Sequence, residues 1–200
     1  MKCSILWILV ITVVILIITN LTQITNSAEY QTGSTTMNVT VRGYVAISAS
    51  TCLTGGITFG TLDPNTNGNN ATCNTNGPSG GTNYNLTVDP SSTVNINFTH
   101  SSNRTNLISG GDTIPISNVK YHSSSTSNTD SNLYNYGTAI SLSNSWGGLE
   151  NCGNLGDGQN CWITYFIDIP SSTPPGNYLA GYCWCGRQVG TSESSCGSCT

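Results

Sequence analysis

The residues best able to do chemistry in this sequence are its cysteines. There are nine, and all except Cys3 lie beyond an N-terminal apolar run. Cys183 and Cys185 make a C-x-C pair, and Cys196 and Cys199 a C-x-x-C pair. Four thiolates at these spacings suit either a tetrahedral zinc site or two disulfides. Residues two apart on a strand project to one face, so the tail can fold back in a nested arrangement, 183 with 199 and 185 with 196. Cys152 and Cys161 enclose the flexible stretch Gly153 to Asn160. Closing a loop of that size stabilises a fold by roughly 2.5–3 kcal/mol through chain entropy. Cys52 and Cys73 bracket Ile57-Thr58-Phe59-Gly60 and a long polar loop. Eight cysteines in an exported chain read as disulfides in preference to metal ligands, although the sequence leaves their connectivity open.

Other candidate chemistry is sparse. Asp63-Pro64-Asn65-Thr66-Asn67-Gly68 matches the opening of a calcium loop, but Asn74 stands where the bidentate Glu is needed, and a turn-rich linker is the better reading. His100 and His122 are the only histidines, and no GxSxG, HExxH or paired-carboxylate motif accompanies them. Asp168 lies inside an apolar strand. There it either has a raised pKa or sits near the strand end with a hydrogen-bond partner. Neither enzyme activity nor a cofactor is expected. Five N-x-[ST] sequons, at Asn38, Asn70, Asn85, Asn97 and Asn103, offer acceptors for N-linked glycans, against the alternative that an Asn/Ser/Thr-rich chain produces such triplets by composition alone.

The N-terminus decides whether that chemistry is available. Lys2 supplies a positive charge, Ile5 to Ile18 is almost unbroken apolar, and a polar stretch ends in Ser27-Ala28. This is the pattern of a secretory signal peptide over residues 1–28, cleaved after Ala28, with a retained anchor as the rival. Without Lys2, four basic residues stand against nine acidic ones, a net charge of −5. That balance argues against a nucleic-acid partner and against docking on anionic lipid. Membrane contact is expected only through the signal segment. Only 7% of the residues are charged, so Asn, Ser, Thr and Gly must do the solvating.

The elements that must position these residues read as strands. Met37, Val39, Val41, Val45 and Ile47 share one face, interrupted by Gly43. Ile57 and Phe59, Tyr84 to Val88, Val94 to Phe98, Ile114 to Tyr121 and Thr138 to Leu142 follow, with Asp89-Pro90-Ser91-Ser92 as a hairpin or corner. Cys161 to Ile169 is apolar on both faces, which predicts a central strand. Pro170 ends it, and Tyr178 to Trp184 returns. About eight short strands predict an all-β, antiparallel, immunoglobulin-like sandwich with long Asn/Ser/Thr/Gly loops at 60–83, 99–113 and 122–137. The expected organisation is a signal peptide (1–28), an N-terminal extension (29–43), a sandwich (44–185) and a Cys-rich tail (186–200).

The order Cys52, Ile57-Thr58-Phe59-Gly60, Asp63-Pro64, Cys73, Tyr84-x-Leu86-x-Val88 resembles the start of a spore coat protein U or fimbrial pilin-like domain. Ile169-Pro170 and Pro174-Pro175-Gly176-Asn177-Tyr178 are similar to the approach to that group's last strand. The N-terminal run with Ala46-Ile47-Ser48 also resembles archaeal donor-strand surface filament subunits. The cysteine-rich end, Cys183 to Cys199, departs from the pattern. The resemblance implies a secreted, non-enzymatic, pilin-like sandwich at the cell surface that self-associates into open polymers, with Met37, Val39 and Val41 as a donor strand for a neighbour. The alternative is a secreted adhesin or module binding surface glycans, with Trp146, Trp162, Tyr134 and Tyr136 as stacking platforms.

Overall fold

A computed structural model describes residues 38–40, 43–75 and 77–200. The signal segment, Met37 and Val41 lie outside them. The chain divides into two units, Met1–Val41 and Arg42–Thr200. In the first, Val39 is largely exposed and lies in no strand. Among the described residues no helix is long and apolar enough to cross a membrane.

The described part of the second unit is mostly antiparallel β, with one short helix, Thr51–Thr54, and four 3-10 turns. Its strands are β1 (Ile47–Ala49), β2 (Thr66–Asn70), β3 (Tyr84–Val88), β4 (Ile96–Ser102), β5 (Asn106–Ser109), β6 (Asp112–Pro115), β7 (Val119–Ser124), β8 (Ile140–Ser141), β9 (Gly147–Gly148), β10 (Asn160–Ile169) and β11 (Tyr182–Gln188). A six-stranded sheet has the order β1-β3-β10-β7-β8, with β2 also on β10. A second sheet has the order β11-β4-β9, and β5 and β6 form a separate hairpin. Tyr84, Leu86, Val88, Ile163 and Tyr165 from the first sheet and Ile96, Phe98 and Leu149 from around the second share one core. A smaller cluster gathers Ile114, Ile116, Val119, Leu142, Ile167 and Ile169.

β10 is central, as its two apolar faces predict. Its first half pairs with β3 and its second half with β2 on one side, while β7 runs along the other. The alternation of β3 places Tyr84, Leu86 and Val88 in the core, each fully buried. Residues 89–92 form a corner and not a hairpin, because they carry the chain from β3 in one sheet to β4 in the other.

Several boundaries differ from expectation. Ile57 and Phe59 form no strand and pack as half-buried side chains on the core. Pro115 ends β6, and the 3-10 turn Ile116–Asn118 separates it from β7, so Ile114 to Tyr121 is two strands in different sheets. Thr138 to Leu142 contains only the two residues of β8, and the return strand begins at Tyr182 instead of Tyr178 and runs on to Gln188. The expected loops are largely structured. Stretch 60–83 contains β2, paired to β10 although it has no apolar residue. Stretch 99–113 contains the end of β4 and the β5–β6 turn. Stretch 122–137 carries the 3-10 turn Ser131–Tyr134, whose Leu133 is buried and whose carbonyl accepts from the Thr164 hydroxyl. With the Tyr136 ring on Phe166, it roofs the outer face of β10. That roof explains why Phe166 is only 2% exposed.

Candidate functional site

The feature that most invites a partner is the free edge of β11. Its sequence Tyr-Cys-Trp-Cys-Gly-Arg-Gln alternates strictly, so Tyr182, Trp184 and Gly186 share one face and Cys183, Cys185 and Arg187 the other. Tyr182 and Trp184 pack against the core. At Gly186 a Cβ would come within 2.8 Å of Ile47 Cγ2 and 3.1 Å of Ile96 Cγ2, so only glycine admits these two isoleucines. β11 pairs with β4 along its whole length, from Tyr182 opposite Ser102 to Gln188 opposite Ile96. The Val189 N–H donates to the Asn95 carbonyl and the Asn103 N–H to the Gly181 carbonyl, which sets the phase of the ladder. Odd-numbered residues turn their main chain to β4, and Tyr182, Trp184 and Gly186 turn theirs away. Among the described residues no strand pairs with that outward edge.

The other face of β11 is covered covalently. Cys183–Cys199 and Cys185–Cys196 form, in the nested arrangement, with Cα separations of 5.6 and 5.9 Å. They draw the tail over the strand, where the Trp146 Nε1–H donates to the Gly197 carbonyl at 2.7 Å and Arg187 faces Glu193 at 3.7 Å. Cys52–Cys73 and Cys152–Cys161 close the other two bridges, both within or against the main core. Four cystines are consistent with an extracellular protein.

Behind β11 a chain of hydroxyls crosses between the sheets. Tyr165 donates to the Tyr182 hydroxyl at 2.6 Å, which leaves the Tyr182 proton for His100 Nδ1 at 3.1 Å. The His100 ring also stands edge-on to Tyr121, with centroids 4.2 Å apart. Burial pushes the His100 pKa down from 6.5 to about 4 and raises those of Tyr165 and Tyr182. His122 is held differently, with Nε2 facing the Asn135 carbonyl at 3.1 Å and Nδ1 facing Glu150 at 3.4 Å. The same Nε2 lies 3.2 Å from the Thr138 hydroxyl.

Asp168 has partners. Burial works against its charge, but the Tyr136 hydroxyl at 2.6 Å, the Gly68 N–H at 2.9 Å and the Lys120 ammonium at 3.0 Å together hold its pKa below the usual carboxylate value. This cluster also fixes the calcium-like stretch, since Thr66 to Asn70 is strand β2 and Gly68 bonds Asp168 across to β10. Among the described residues no group of three or more His, Cys, Asp or Glu side chains is placed to hold a metal ion.

The aromatic residues considered as stacking platforms are engaged separately. Tyr136 is wedged between Gly68, Phe166 and the Lys120 ammonium, 4.5 Å from its ring centre. The Tyr134 hydroxyl donates to the Asn128 carbonyl, and Trp146 holds the tail. Trp162 is half-buried on β10 opposite Asn85 and Ser124. Of the sequon asparagines, Asn38 and Asn70 are exposed and Asn85, Asn97 and Asn103 half-buried. Asn97 Oδ1 accepts from the Asn154 N–H and Asn103 Oδ1 from the Gly181 N–H, both at 2.7 Å.

Sequence reasoning ended the last strand too early and so missed the length of the β11 edge. The signal was present in Cys183, Cys185 and Arg187, which continue one alternating face to Gln188. The Lys120–Asp168 pair carried no local signal, because it depends on which strands lie side by side. No family model, curated protein or solved structure matches the chain.

Proposed function

We propose that this chain is an exported structural protein of the cell surface, a subunit that self-assembles into a filament or coat by donating its N-terminal strand to a neighbouring copy. In this reading the two sheets and their shared core form an immunoglobulin-like, pilin-like sandwich, and the chain is a secreted glycoprotein without enzymatic activity. The observation that carries it is the β11 edge, where Tyr182, Trp184 and Gly186 present main-chain donors and acceptors beside half-buried apolar side chains. An edge of this kind pairs with another strand unless something blocks it. Met37, Val39 and Val41, at alternate positions, suit such pairing, in which main-chain bonds supply affinity and every second side chain supplies register. Gly43 starts the path, since its Cβ would meet Val94 Cγ1 at 2.5 Å and the Gln188 side chain at 3.1 Å. Gly43, which follows that run in the sequence, therefore lies beside the last residue of β11. Head-to-tail pairing does not close on itself, so it gives open fibres.

The test replaces Met37, Val39 and Val41 by Ser and follows size and folding together. The expected result is polymer from the wild type by electron microscopy and sedimentation, and a folded monomer from the variant. A wild type that stays monomeric at high concentration, with its N-terminal run protected from proteolysis, overturns the reading.

A further inference from the structure

Of the five sequon asparagines, three lie in strands and have a direct cross-strand partner. Asn70 faces Phe166, Asn97 faces Arg187 and Asn85 faces Trp162. The Phe166 ring is roofed by Tyr136 and offers nothing to a ligand. Trp162, in contrast, is half-exposed on the outer face of the central strand. The Asn85 carbonyl accepts from the Ser50 N–H and the Asn85 N–H bonds the Ser50 hydroxyl, so its main chain faces β1. Asn85 and Trp162 are therefore a non-hydrogen-bonded pair, the kind whose side chains approach most closely. The adjacent pair of the same type, Thr87 and Asn160, is in side-chain contact at 2.5 Å. Asn97 and Asn103 use their side-chain oxygens to hold neighbouring backbone, and Asn70 bonds Asn74. Among the described residues, the Asn85 side-chain amide makes no hydrogen bond.

We propose that Asn85 and Trp162 are a built glycan-docking pair, in which an N-linked oligosaccharide on Asn85 lays the apolar C–H face of its first pyranose ring across the indole of Trp162. This rests on the reading of the chain as an exported glycoprotein. The modification forms a bond from Asn85 Nδ2 to the anomeric carbon of a lipid-phosphate-linked oligosaccharide. The bond from that carbon to phosphate oxygen breaks, the lipid phosphate departs, and one amide proton is lost. The indole face carries the negative end of the ring quadrupole and attracts the weakly positive C–H groups of a sugar. Ser124 on β7 also stands directly opposite Trp162, with its hydroxyl held by Asp130, so the strand partners of Trp162 on both sides are small or polar residues. Docking makes the glycan part of the outer face of the sheet, covering a half-exposed tryptophan that so weakly charged a surface would otherwise present to water.

The test uses full-length protein secreted by its native source. Site-resolved mass spectrometry is expected to find Asn85 occupied. Releasing the glycans enzymatically from the folded protein is expected to increase acrylamide quenching of tryptophan and to lower the melting midpoint by roughly 2–4 °C. Asn85→Gln is expected to reproduce that shift in the wild-type background and to have no effect on quenching or melting in a Trp162→Leu background. A bare Asn85 with the other sequons occupied overturns the docking pair and leaves the glycoprotein reading standing. Five bare sequons overturn both. An occupied Asn85 whose removal changes neither quenching nor melting overturns the docking alone, and the deglycosylation arm decides this even if Trp162→Leu fails to fold.

Discussion

His100 is buried between Tyr121 and Tyr182, so its imidazole stays neutral where an exposed histidine would be protonated. An unfolded chain binds a proton at this residue as pH falls through 6.5, while the folded chain resists until about 4. The folded state therefore loses stability across that window as pH falls, and the loss levels off below it. Its full size is about 3 kcal/mol. Denaturant titrations from pH 7 to pH 4 are expected to show this slope, and His100→Gln, which keeps an acceptor for the Tyr182 hydroxyl, is expected to flatten it. Asp168 acts in a lower window with the same sign. Its pKa is held down by Tyr136, Gly68 and Lys120, so its contribution is present above the ordinary carboxylate pKa and is lost as acid protonates it. The two groups can be separated because His100 titrates first.

At the scale of elements, what was legible in the sequence is what alternates. Tyr84-x-Leu86-x-Val88 and the doubly apolar run from Cys161 to Ile169 specify β3 and β10 because burial of one or both faces is written directly into every second residue. β2 was illegible. Thr-Asn-Gly-Asn-Asn carries no apolar pattern and is a strand only because β10 offers it an edge and Asp168 holds Gly68. Stretch 122–137 was misread for a related reason, since a single Leu in a polar context gives no period. Leu133 is 1% exposed and anchors the roof over β10. Leu133→Ala is accordingly expected to cost about 2–5 kcal/mol, the range for truncating a buried leucine. Equilibrium unfolding in urea checks this, and a change under about 0.5 kcal/mol, typical of a surface substitution, would show that the roof does not pack. The β11 edge lay between these cases: its alternating cysteines were visible, but that no described strand pairs with its outward side depends on strand order, which no local pattern encodes.

The whole molecule has its covalent bonds distributed by depth. Cys152 and Cys161 are both fully buried, and Cys52–Cys73 ties the half-buried start of the domain to the same core. The C-terminal bridges instead lie on the outer face of β11, with Cys183, Cys185, Cys196 and Cys199 all half-buried. A thiolate must reach a sulfur in line to exchange with it, so access orders the reactions. Limited treatment of the folded protein with a small thiol, followed by alkylation and peptide mapping, is expected to label the half-buried cysteines first, Cys183, Cys185, Cys196 and Cys199 among them. Cys152 and Cys161 should react only when the domain unfolds. Opening the outer pair frees the tail after Gln188 without removing a core side chain, so near-UV signals from the tyrosines around His100 should persist at that stage. Loss of those signals together with the first two bridges would instead make the tail part of what holds β11 on β4. The order of labelling then bears on the proposed assembly, because a tail that can leave while β11 stays paired is a cover for one face of that strand, and its outward edge keeps the geometry that the proposed neighbouring copy would meet.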